Sequence, residues 1–124
     1  MPERRVTAAQ RRDILARAGG RCEYCHSQAR FATQPFTVEH IVPRTAAGKT
    51  EMDNLALSCF GCNSHKSTKT HAPDPETGQF EPLFHPRKQV WNEHFAWSDD
   101  FCYIVGQTPT GRATVEALHM NRPE

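Results

Sequence analysis

The 124 residues fit one domain and exclude two independent cores, and a 37% hydrophobic content is lean enough that a covalent or metal staple would help. No stretch approaches the ~18 uninterrupted apolar residues of a membrane span, and the start, MPERRVTAAQRR, lacks an apolar export region; the sequence predicts a cytoplasmic protein with reduced cysteines and no membrane role. A net charge of +1 excludes polyanion binding by bulk charge alone, yet residues 1–30 carry seven arginines against three acids while residues 73–124 carry four bases against eight acids.

Along the chain, Thr7 and Gln10 fit a capping box, and residues 8–18 read as a helix stopped by Gly19-Gly20. Val6, Ile14, Leu15 and Ala18 are its expected apolar stripe, which leaves Arg11, Arg12 and Arg17 toward solvent or a ligand. Cys22-Glu-Tyr-Cys25 is a tight knuckle, residues 36–40 suit a short strand ended by Pro43, and residues 44–53 read as a loop. Residues 55–58 offer a second strand and residues 61–68 a helix. The proline- and acid-rich residues 72–82 predict a surface loop. Pro86 opens an expected amphipathic helix through Trp97, followed by a strand over 101–105, a turn at Pro109-Thr-Gly111 and a closing helix over 112–120.

Cys22, Cys25, Cys59 and Cys62 form two Cys-x-x-Cys pairs with 33 residues between them. Four thiolates in a tetrahedron satisfy zinc with no open position, so the expected site is structural. Buried free thiols or a redox pair are the plainer readings, and two matched pairs weigh against both. Cys-Glu-Tyr-Cys-His26 also fits a haem-attachment pattern, which would leave the second knuckle unexplained. Cys102 is expected to be a small apolar residue of the last strand.

Between the knuckles lie Val38-Glu39-His40-Ile41-Val42-Pro43 and Asn54-Leu55, and Cys62-Asn63-Ser64-His65-Lys66 closes the run. In order and spacing, residues 22–66 resemble the HNH endonuclease family. The resemblance implies a ββα-metal finger stapled by the four cysteines; with the N-terminal helix and the C-terminal helix-strand-helix extension read from the residue pattern, the expected fold class is α+β. It implies that Glu39 and Asn63 hold a catalytic Mg²⁺ or Mn²⁺, that His40 is the general base, that Asn54 fixes the histidine strand across the loop, and that Lys66 meets charge on the phosphate. Glutamate stands where aspartate is frequent, and Asn63 where the last histidine often is, an H-N-N variant. Phosphodiester hydrolysis independently needs these types: a proton acceptor for water, which imidazole supplies near neutral pH, and a positive centre held by hard oxygens.

Nucleic-acid contact is expected of Arg11, Arg12 and Arg17, and of Arg112 beside Gly111. His65 and His71 read as surface residues, and His85, His94, His119, Trp91 and Trp97 as packing groups. The leading expectation is thus a metal-dependent endonuclease acting on nucleic acid, with DNA the expected form. The alternatives are a non-catalytic zinc-stabilised nucleic-acid-binding module and, less favoured, a protein-interaction zinc module. One domain over 1–124 is expected, with a core at 22–70 and a C-terminal cap at 80–124.

Overall fold

A computed structural model describes residues 5–122. Helix α1 spans Ala8–Ala18, capped as expected: Thr7 Oγ1 accepts from the Gln10 amide at 3.0 Å, and Gln10 Oε1 accepts from Thr7 N at 2.9 Å. Strands β1 (Thr37–His40) and β2 (Leu55–Ser58) form an antiparallel pair in which His40 faces Leu55. Helix α2 (Phe60–Lys66) follows β2 at once and packs against β1, completing the expected ββα finger. Cys59 is its N-cap, with Sγ accepting from Cys62 N at 3.4 Å.

The remainder differs from expectation in four places. Residues 72–82 are a hairpin, β3 (His71–Pro73) paired with β4 (Phe80–Pro82), because Asp74 closes a turn with Gln79 and Gly78 where a bare loop was predicted. The helix predicted from Pro86 to Trp97 shrinks to the single turn α3 (Trp91–His94). Its start is taken by a turn in which Gln89 Oε1 accepts from His85 N at 2.8 Å, and its end becomes strand β5 (Phe95–Trp97). Phe95 is buried and Trp97 exposed, and the segment is extended because it pairs antiparallel with a later strand, Phe95 facing Gly106 and Trp97 facing Ile104. The partner strand β6 is Ile104–Gly106, later than predicted, and Cys102 lies exposed before it rather than inside a strand. Pro109 opens helix α4 (Pro109–Leu118) instead of a turn: Thr108 is the N-cap and proline's fixed φ suits the first helical position. Gly111 serves close approach, since a Cβ there would lie 2.0 Å from the His94 carbonyl oxygen.

Two apolar clusters result. The smaller joins Ile14 to Val38, Leu55 and Leu57, with Val6 and Ala18 against it, while Leu15 is exposed. The larger joins the four knuckle cysteines and Tyr24 to Leu83, Phe84, Phe95, Ile104, Ala113, Leu118 and Met120. The finger and the C-terminal extension therefore share one core. No helix among the described residues is long and apolar enough to cross a membrane.

Candidate functional site

The ligand sulfurs of Cys22, Cys25, Cys59 and Cys62 all lie within 4.8 Å of one another, and all four residues are buried. The Cys25 and Cys59 sulfurs are 3.7 Å apart. Zinc–sulfur bonds of about 2.3 Å in a tetrahedron place sulfurs about 3.8 Å apart, so the spacing fits the ion. Burial pushes the Cys22 thiol well up, while hydrogen bonding from Cys22 holds Cys25 at about 6 and Cys59 lower still. Four adjoining thiols cannot all ionise without a cation among them, which makes this a centre for a structural metal such as zinc.

His40 ends β1, half-buried, with Nε2 2.8 Å from Thr50 Oγ1. Burial lowers its pKa, favouring the neutral ring. Asn54 grips the intervening loop: its Oδ1 accepts from Val42 N at 2.9 Å, and its Nδ2 donates to Val42 O at 3.0 Å and to Lys49 O at 2.9 Å. The Ile41 amide also donates to Asn54 O at 2.8 Å. These bonds set where the chain leaves the histidine strand.

Glu39 is 6% exposed. Tyr24 OH donates to its Oε1, and Lys66 Nζ lies 3.5 Å from its Oε2. Burial raises the carboxyl pKa, and Lys66 and Tyr24 act in the opposite sense. Asn63, on α2, makes no side-chain hydrogen bond among the described residues. Glu39 and Asn63 present the hard oxygens that Mg²⁺ or Mn²⁺ takes, and each Glu39 oxygen keeps a further lone pair, so the donor set suits such an ion.

Three expected phosphate contacts are corrected by geometry. Lys66 is 1% exposed and donates to Ile41 O at 2.8 Å, so its ammonium anchors β1 and Glu39 from inside. Arg17 donates to Met52 O at 2.9 Å and to Leu55 O, pinning α1 to the finger. Arg112 donates from Nε and Nη2 to the two oxygens of Asp74 at 3.0 and 2.8 Å, and approaches Glu76 as well. Arg11 and Arg12 are exposed on α1. His65 stacks on His119 at 4.2 Å, and His71 Nδ1 meets Thr70 Oγ1 at 2.9 Å on a hairpin edge.

Residues 22–69 match a family model described as HNH endonuclease. This segment is similar to an HNH domain. No curated protein and no solved structure matches the chain. The HNH match points to a nuclease or nucleic-acid-binding function, and the segment holds the cysteine centre, Glu39, His40, Asn54 and Asn63 together.

Sequence reasoning missed several supporting groups of the HNH domain. Tyr24, inside the first knuckle, carries no sequence signal of its own, yet its hydroxyl donates to Glu39. Thr50 sits in an aperiodic stretch with no signal of its partnership with His40. Glu23 caps Leu57 N at 2.7 Å and pairs with Arg87, and Trp91 Nε1 donates to Tyr24 O at 2.7 Å. Those last contacts join segments far apart in sequence, which no local spacing encodes.

Proposed function

We propose that this protein is a metal-dependent endonuclease that hydrolyses phosphodiester bonds of nucleic acid, DNA foremost, with His40 as general base. The observation that supports it best is the half-buried His40 ring at the end of β1, whose Nε2 lies 2.8 Å from Thr50 Oγ1. In the tautomer with Nε2–H donating to Thr50, Nδ1 keeps its lone pair and takes the proton of the attacking water. Asn54 holds the strand exit so that the ring stays aimed. Glu39 and Asn63 would hold Mg²⁺ or Mn²⁺, which supplies positive charge to the phosphate and the departing oxygen. Lys66 and Tyr24 keep the Glu39 carboxylate in place, and Arg11 and Arg12 contribute charge for the nucleic-acid backbone. Residues 1–124 act as one domain, the HNH core at 22–70 backed by the cap at 80–124.

The two metals are separable, because buried thiolates hold zinc far more tightly than two oxygen ligands hold Mg²⁺. Brief EDTA treatment should abolish nicking of supercoiled plasmid while circular dichroism remains that of the folded protein, and Mg²⁺ or Mn²⁺ alone should restore nicking. Recovery that required zinc instead would contradict the assignment.

A second reading, a zinc-stapled module that binds nucleic acid without cutting it, is favoured by one observation: both Glu39 oxygens already have partners. Salt-sensitive binding with no metal-dependent nicking would select that reading.

A further inference from the structure

A tetrathiolate zinc centre carries two net negative charges in a largely apolar core, and burial of uncompensated charge is costly. The compensating group comes from outside the HNH segment. Arg122, just past α4, points Nη2 at Cys59 Sγ at 3.0 Å, and Nη1 and Nη2 each lie 3.7 Å from Cys62 Sγ. The same guanidinium donates through Nη1 to His119 O at 2.8 Å and Leu118 O at 3.2 Å, so the carbonyl end of α4 holds it in position. A second, independent feature accommodates it. Gly61 lies between the two cysteines of the second knuckle, and a Cβ there would sit 2.2 Å from Arg122 Nε and 2.4 Å from Cζ. Alanine is the better helix former in the first turn of α2, so glycine at this position makes sense as the space into which the guanidinium fits.

We propose that Arg122 is a positioning residue of the zinc centre: its guanidinium, seated over Gly61, neutralises the Cys59 and Cys62 thiolates and latches the C-terminal extension onto the HNH core, slowing zinc loss. Charge-assisted bonds to ligand sulfurs stabilise the ionised thiolates that the metal requires. The outer partners of metal ligands typically change metal affinity ten- to a hundredfold. The extension thereby acquires a role in metal retention that is separate from cleavage.

The test uses the zinc-loaded full chain and follows transfer of zinc to a chromogenic chelator. Arg122→Ala should release zinc roughly ten- to a hundredfold faster than the wild type, and Arg122→Lys should fall between, keeping charge without the planar fork. Gly61→Ala should displace the flexible guanidinium and also speed release, and adding it to Arg122→Ala should bring no further change. In the Co²⁺-substituted protein, Arg122→Ala should move the thiolate-to-metal charge-transfer band to lower energy, because the sulfur lone pairs lose a hydrogen-bond donor. Zinc release within twofold of wild type, an unmoved band, or an undiminished Gly61→Ala effect without the arginine would overturn the proposal. Should Arg122→Ala not fold, Gly61→Ala alone decides: release at the wild-type rate overturns it.

Discussion

His40 shows how the surroundings of a side chain are made by neighbours that the chain brings from elsewhere. Thr50 is ten residues away and Asn54 fourteen, and both act on the same strand exit, one on the ring and one on the backbone. Tight spacing was legible where the two Cys-x-x-Cys pairs converge on one point, and the Asn54 side chain bonds to Val42 and Lys49. Long cations were not. Lys66, Arg17 and Arg112 have no sequence signature telling which carbonyl or carboxylate will capture them, and all three turn inward or along the surface to protein partners. Arg112 yields a pH prediction. Its hydrogen bonds are the main cause that holds Asp74 at about 2, below the ordinary 3.8. A carboxylate whose pKa is depressed on folding stabilises the fold above its unfolded value and loses that contribution as pH falls toward its folded one. Stability should therefore decline between about pH 4 and about pH 2 more steeply in the wild type than in Asp74→Asn, as chemical denaturation across that range would register. Parallel declines would contradict the pairing.

Helix α1 and the β1–β2 pair formed nearly as read. Helix α1 combines a capping box with a glycine stop, and the β1–β2 pair combines β-branched content with fixed motif spacing. The segment from Pro86 to Trp97 had helical spacing and a proline at its expected start, yet only one helical turn formed. There the side chains of His85 and Gln89 satisfy backbone groups locally, and Phe95 to Trp97 gains a strand partner in β6. Strand pairing is decided by a partner elsewhere in the chain, which local periodicity does not contain. The hairpin of β3 and β4 escaped notice for the same reason, with prolines at both strand ends. The element most dependent on a single side chain is α1. Its buried residue is Ile14, and Arg17 adds two bonds to carbonyls of the finger. Arg17→Ala should destabilise the protein by about 1–3 kcal/mol in denaturant titration, the net worth of hydrogen bonds from a charged donor. An unchanged midpoint would show that α1 is held by Ile14 alone.

At the scale of the whole molecule, the larger cluster places the four knuckle cysteines against residues of α4 and the β5–β6 hairpin, so the extension completes the core around them. Leu118 is fully buried there. Leu118→Ala should cost about 2–5 kcal/mol of stability, read as a lower denaturation midpoint of the zinc-loaded protein. A change below about 1 kcal/mol would mean that the extension merely leans on the finger.

Side-by-side plasmid nicking by wild type and His40→Ala, both zinc-loaded and supplied with Mg²⁺ or Mn²⁺, decides whether the His40 imidazole is the general base. His40→Ala should lose roughly two to four orders of magnitude in rate, the usual contribution of a positioned base, with zinc content and salt-sensitive DNA binding unchanged. Nicking by the purified His40→Ala protein at the wild-type rate would contradict that role.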